Sequence, residues 1–420
     1  MLRISNFSSL ILVTQIGARR HYAVPAALER AGLLSGLYTD VCMAAPWLRM
    51  LGKVLPKSAP IPGWKSLVAR EVNGVPDSKI TCLWSAPWKL NRFKKDADYG
   101  GQYARFVAQN EAFGRDIVQR GFGDAKAVYA FNGAAVEIFE AAKACGLKCI
   151  LDMTIAPLEI IEQLLAEERE RFPHFEWSSN VPDPANKLID RERAEWKLAD
   201  LILCGSEYVL QSLSRIGVDP SKCRIARWGY SGPCLVVDRS RRTDPLRILI
   251  AGTVELRKGT PYVLNAAEQL NSGQYHFRFV GPCQTNGRSF EEYHLTDLDV
   301  RGIVELKGAI PRSEMSREYQ EADVLLHPSL AEGSANVCYE AMAHGLPVIA
   351  TPNAGSAIAD GVDGIIIPIR DPEAIVAALC KLRDNPELRI RMGEAARQRA
   401  ASLTIDQYQK QIAEAVKSVL

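Results

Sequence analysis

The chain has 420 residues, enough for two domains at roughly 100–200 residues each. Hydrophobic residues make up 47% and charged residues 24%, the balance of a soluble globular protein, which excludes a disordered chain, a collagen-like repeat and a small disulfide scaffold. Lys and Arg total 51 against 49 Asp and Glu, and so small an excess gives no global electrostatic reason to expect nucleic acid.

Strand and helix alternate along the chain. Short apolar runs predict strands at Leu10–Thr14, Lys126–Phe131, Lys148–Met153, Leu201–Gly205 and near Cys223–Ala226. Amphipathic stretches predict helices at His21–Ala31, Ala134–Cys145, Leu158–Arg171, Leu188–Leu198 and Glu207–Ile216. Residues 231–245 are polar and turn-rich, as linkers are. The rhythm then restarts with strands at Arg247–Ala251, His276–Val280, Ile303–Lys307, Val324–Pro328 and Leu346–Ala350. Helices are predicted at Gly259–Leu270, Arg312–Glu321, Asn336–His344 and Ile405–Val419. This alternation predicts an α/β protein of two doubly wound, Rossmann-like domains, 1–230 and 246–403, with a helix in 404–420 that can pack back on the first.

Residues 41–95 break the rhythm. They carry ten Lys or Arg against Glu71 and Asp77, and four of the seven tryptophans: Trp47, Trp64, Trp84 and Trp88. Cations mixed with indoles suit a membrane interface, although a buried excursion with solvated lysines also fits. The start of the chain lacks the pattern of a signal peptide, and no run of about 18 apolar residues occurs. The expected location is cytoplasmic, with peripheral contact on the inner face of the membrane through 41–95. The ten cysteines form no Cys-x-x-Cys pair and no His pair completes a metal set, so no metal and no cofactor are expected.

Two stretches carry the chemistry. Near Ile248–Gly259 a strand runs into Gly252, then into the adjacent cations Arg257 and Lys258 and a helix start, an arrangement that suits a diphosphate. It could equally be a surface cation pair beside a turn. In the second stretch a strand ends at Pro328, followed by Glu332, the small residues Gly333, Ser334 and Ala335, then Asn336, Val337 and Glu340 on a helix. Ligands of open α/β sheets bind at such strand ends, and a helix start offers free N–H groups to an anion. The two carboxylates would accept hydrogen bonds from sugar or ribose hydroxyls, though either alone also fits a helix carboxylate in solvent.

Together, in this order, the two stretches resemble glycosyltransferase family four, retaining enzymes with the two-domain GT-B fold. Arg257-Lys258-Gly259 matches the family's Lys-Gly step, and Glu332 and Glu340, with seven residues between, match its glutamate pair. Ala341 to Ile349 and Asp360 to Ile365 match its downstream elements, so the resemblance covers about residues 247–400. It is looser at Gln15 to His21, which is similar to the glycine loop after the first strand.

The resemblance implies a nucleotide-diphosphate sugar held between the domains, without an essential metal, and domain 1 as the acceptor-binding half. By position, Lys258 and Arg257 would face the diphosphate, Glu332 the sugar and Glu340 the ribose. Main chain from Gly333 to Val337 would approach phosphate and sugar. Gly17 would close over the phosphates, and backbone near Ile310 would meet the base. The implied activity is transfer to a lipid-linked or saccharide acceptor in polysaccharide or glycolipid biosynthesis, with the departing phosphate taking the acceptor's proton. The rivals are a nucleotide-sugar epimerase and a non-catalytic sugar-nucleotide binding subunit of the same fold. Three departures stand out. Thr253 replaces a frequent arginine, Ser334-Ala335-Asn336 replaces an aromatic-glycine-leucine run, and Asp152-Met153-Thr154 stands where many members carry a histidine. His21 could reach the phosphates or simply begin a helix, and His327 reads as a satisfied core residue.

Overall fold

The computed structural model describes residues 10–44, 46–56, 59, 64–68, 70–83, 99–173, 175, 183–240, 244–271, 273–283 and 302–420. Domain 1 runs β1 (Ile11–Gln15), α1 (Ala23–Arg30), β2 (Leu34–Thr39), α2 (Pro46–Val54), α3 (Trp64–Val68), β3 (Ile80–Cys82) and α4 (Tyr99–Arg120). It continues through β4 (Ala127–Phe131), α5 (Val136–Ala144), β5 (Lys148–Met153), α6 (Leu158–Arg171), α7 (Asp183–Leu198), β6 (Leu201–Cys204), α8 (Glu207–Arg215) and β7 (Cys223–Ile225). The strands form one parallel sheet in the order β3-β2-β1-β4-β5-β6-β7. Helices cover both faces, so β1, β4 and β6 are buried along their whole length, and β4 and β6 read as unbroken apolar runs.

Domain 2 repeats the plan with β8 (Leu246–Ala251), α9 (Thr260–Glu268), β9 (Tyr275–Val280), β10 (Val304–Gly308), α10 (Met315–Glu321) and β11 (Val324–His327). There follow α11 (Asn336–Ala343), β12 (Val348–Ala350), β13 (Gly364–Ile366), α12 (Pro372–Asp384) and α13 (Pro386–Ser402). Its parallel sheet has the order β10-β9-β8-β11-β12-β13. The strand order therefore reverses between β1 and β4 in one domain and between β8 and β11 in the other. Ligand crevices of doubly wound sheets open at these reversals, beyond the strands' carboxyl ends.

The last helix, α14 (Ile405–Lys417), returns to domain 1, where Tyr408, Ile412 and Val416 share a core with Ile11, Val13 and Leu28. The two domains touch directly. Ser206 Oγ donates to the Gly333 carbonyl at 2.6 Å, Tyr262 OH to Glu168 at 2.7 Å, and Arg370 Nε pairs with Glu168 at 2.5 Å.

Two local expectations are corrected. The helix predicted from His21 begins at Ala23, because Arg20, His21 and Tyr22 take left-handed backbone conformations. Trp64 is no interfacial indole: it is buried with Met43, Leu48 and Ala59, and its Nε1 donates to the Pro56 carbonyl at 2.9 Å. The same segment nonetheless exposes an apolar face on α2, with Met50 72% and Val54 80% accessible beside Leu51. Trp84 and Trp88 lie outside the described residues, as does the side chain of Trp47.

Candidate active site between the domains

The loop after β8 turns through Leu256–Lys258 and ends at Gly259, the left-handed residue that opens α9. A side chain at Gly259 would be strained by its φ of 72° and would meet the Pro328 carbonyl at 2.2 Å. Glycine thus lets the loop press against the end of β11, and that contact places the cations. Lys258 Nζ donates to Glu332 Oε1. Arg257 Nη1 lies 3.1 Å from the same oxygen, and its Nη2 donates to Glu255 at 2.6 Å.

Glu332 is 12% exposed and also accepts from Ser329 Oγ at 3.2 Å. Burial alone would raise its pKa, but Lys258, His327 and Arg257 outweigh it and hold the carboxylate well below its usual range. His327 is buried with Nε2 3.8 Å from Glu332 Oε1 and without a hydrogen-bond partner. Burial lowers its pKa, so it is neutral near pH 7. The histidine is therefore no satisfied core residue, since its ring faces the site. Sequence reading missed this because an apolar strand that ends in histidine looks the same in either case.

Past Glu332 the chain enters α11 through Gly333, Ser334 and Ala335. A Cβ on Gly333 would lie 2.0 Å from the Thr154 carbonyl, so only glycine permits this closeness to domain 1. Ala335 is the residue before the helix, and no side chain caps the N–H groups that follow, including those of Asn336 and Val337. Glu340 lies one turn further on, accepting from Tyr319 OH at 2.8 Å and from Arg312 Nη2 at 3.4 Å. Arg312 also donates to His21 Nε2 at 2.6 Å, which links domain 1 to Glu340. Burial, then the charge of Arg312, lowers the His21 pKa, consistent with a neutral ring that accepts. Ile310, after β10, packs on the core beneath α11.

On the domain 1 side, Gly17 (φ 71°) donates its N–H to Asp40 Oδ1 at 2.8 Å and has open space at its α-carbon. Asp152, at the end of β5, is buried; it accepts from Tyr129 OH at 2.6 Å and lies 3.8 Å from Arg20. The structure thus joins Arg257, Lys258, Glu332, Gly333 and Ser334 into one cluster, with Glu340 on the adjoining helix. Arg312 and Tyr319 are polar neighbours that sequence reading passed over, and His327 is one that it assigned to the core. No group of three His, Cys, Asp or Glu side chains that could hold a metal ion occurs among the described residues.

Two doubly wound domains, apposed at their strand ends, define the GT-B fold. Residues 237–399 match the family model described as glycosyl transferases group 1. That match takes in nearly all of domain 2. A D-inositol 3-phosphate glycosyltransferase of Thermomonospora curvata is 26% identical over 252 residues, 54% of this chain and 58% of the relative. A putative colanic acid biosynthesis glycosyltransferase of Salmonella typhimurium is 28% identical over 207 residues, 44% and 48% of the two chains. The chain thus spans about half the length of the curated relatives it matches. Two solved structures match over nearly the whole chain. They are sucrose-phosphate synthase of Thermosynechococcus elongatus (TM-score 0.69, 17% identity, covering 98% of this chain and 99% of that one) and Anabaena HepE in complex with UDP and glucose (TM-score 0.62, 15%, covering 98% and 100%). At such identities the likeness speaks for the fold.

Proposed function

We propose that the protein is a retaining glycosyltransferase that moves a sugar from a nucleotide-diphosphate sugar to a lipid-linked or saccharide acceptor. One observation carries the reading. Lys258 and Glu332, 74 residues apart in sequence, meet beside an uncapped helix start in the crevice between the domains. The cation and the free N–H groups suit a diphosphate. Glu332, kept ionised, suits the hydroxyls of the sugar, and Glu340 those of the ribose. Charge building on the departing phosphate would then be met by Lys258 and Arg257. The names of the relatives, among them enzymes of colanic acid and amylovoran biosynthesis, support a role in polysaccharide or glycolipid assembly.

The direct test is incubation of the purified chain with UDP-glucose and other nucleotide sugars, with and without a membrane lipid extract. Nucleoside diphosphate released only with acceptor, and product of retained anomeric configuration, is expected. A change in the donor sugar without any release would mean an epimerase, and binding without either would mean a non-catalytic subunit.

The proposal extends to place: cytoplasmic, against the inner face of the membrane. No helix among the described residues is long and apolar enough to cross a bilayer. The exposed Met50, Leu51 and Val54 of α2, within a segment of net charge +8 over residues 41–95, suit shallow insertion among anionic head groups.

A further inference from the structure

The loop after β1 contains two arginines that the donor reading leaves unused. Arg19 reaches across the crevice between β1 and β4. Its Nη1 donates to Thr154 Oγ1 at 3.4 Å, and its guanidinium lies 5.5 Å from the Phe131 ring centre. No carboxylate lies within ion-pair distance of it among the described residues. Arg20 is sandwiched near Trp228 and Tyr408, at 5.2 and 5.8 Å. Its side chain is 10% exposed, its nearest carboxylate oxygen, on Asp152, is 3.8 Å away, and its Nε has no partner. A Cβ placed on Gly205 would lie 3.4 Å from Arg20 Nη2 and 3.3 Å from Ser334 Cβ, so Arg20 borders the loop that follows Glu332.

The charges of this wall do not balance. Arg19, Arg20 and Arg70 face Asp40 and Asp152, and Asp40 is already taken by Arg70 at 2.7 Å and by the N–H of Gly17. Glu195 brings little charge near pH 7, because burial pushes its pKa up to about 8 against the two backbone N–H groups it accepts. Burial likewise lowers the pKa of Arg19, whose charged form is poorly compensated. The backbone that carries Arg20, His21 and Tyr22 is left-handed at three successive residues, none of them glycine, a conformation kept only where the surroundings impose it. An under-paired, half-buried cation beside a strained stretch of backbone is a cost to folding that an anionic ligand would offset.

We propose that Arg19 and Arg20 form an oxyanion subsite for the acceptor, which carries a phosphate ester or a sugar carboxylate close to the hydroxyl that receives the sugar. This rests on the transferase reading, since only a transferase needs an acceptor. The donor's own diphosphate is the less suitable occupant. Lys258 and Arg257 stand on the other domain, whereas every hydrogen bond and ring contact of the Arg19 side chain is to domain 1, at the ends of β4 and β5.

The test titrates the full chain by calorimetry with glucose 6-phosphate, glucuronate and glucose, with and without saturating UDP. At least one of the two anions should bind tenfold or more tightly than glucose, and which one does so separates phosphate from carboxylate. Arg19→Gln should erase that preference, and Arg19→Lys should keep part of it. Lys258→Gln should weaken UDP and leave the preference alone. Melting temperature provides an independent readout: Arg19→Gln should leave it unchanged or higher, where a structural arginine would lower it. The proposal is overturned if the wild type shows no preference, if the preference survives Arg19→Gln, or if it disappears with Lys258→Gln. Failure of UDP to bind the wild type would sink the donor reading instead, and the arm run without UDP would still decide the subsite.

Discussion

Replacing Glu332 by glutamine should tighten UDP binding while it slows transfer. Lys258 Nζ donates to Glu332, and Arg257 is divided between Glu332 at 3.1 Å and Glu255 at 2.6 Å. An arriving diphosphate must compete with that carboxylate and sit near its charge. A hydrogen bond to a charged group contributes about 1.5–3 kcal/mol, and with Lys258 17% and Glu332 12% exposed solvent screens the pair only in part. Relief of roughly 1.4 kcal/mol corresponds to about tenfold tighter UDP. Glutamine keeps the shape but loses the charge at the sugar, so turnover should fall by about 10²-fold. Folding should suffer too. Breaking a buried pair costs about 3–5 kcal/mol, reduced here to roughly 2–3 because Arg257 keeps Glu255. Calorimetry with UDP and a thermal melt read both effects, and saturating UDP should restore much of the lost melting temperature. Unchanged UDP affinity together with an unchanged melt would refute the reasoning, because it would mean that the two side chains do not share their charge.

Three further outcomes follow from the same geometry. Lys258→Ala should lower turnover by about 10²-fold or more and weaken UDP, checked by steady-state kinetics and calorimetry; wild-type values for both would reject its role. Arg312→Ala removes the link from His21 to Glu340 and should weaken the binding of UDP more than that of inorganic pyrophosphate, because the Glu340 end of the site would meet the ribose; equal losses would place Arg312 at the phosphates. Stability should fall between pH 6.5 and 8.5, because burial, against the backbone and Asn132 bonds they accept, lifts Glu192 to about 7 and Glu195 to about 8. Both are above the unfolded value of about 4.3, so the folded form holds more protons and loses stability as pH rises, until both are ionised. The histidines lowered by burial act in the opposite sense only below about pH 6.5. A melt profile flat across that window in the wild type, or unchanged by replacing both with glutamine, would reject the assignment.

The parallel strands were legible because burial on both faces forces unbroken apolar runs, such as Leu201–Cys204 and Ala127–Phe131. The cluster at Lys258 and Glu332 was legible because each lies within a short local pattern of strand end, small residues and helix start. Less local features were hidden. Helix α4 contains Gly100 and Gly101 in its first turn, and its hold comes from Phe113 and Ile117 in the domain 1 core. The left-handed run at Arg20–Tyr22 has no glycine or asparagine to announce it, so local propensity favours a helix from His21. Arg312 and Tyr319 meet Glu340 from 28 and 21 residues away, a proximity set by how β10 and α10 pack beside α11.

The most direct measurement is a crystal structure of the protein with UDP bound. The account predicts the β-phosphate within hydrogen-bonding distance, about 3 Å, of Lys258 Nζ and of the backbone N–H groups that open α11, with the ribose at Glu340. UDP lodged away from these groups, with the Lys258–Glu332 pair undisturbed, would contradict it.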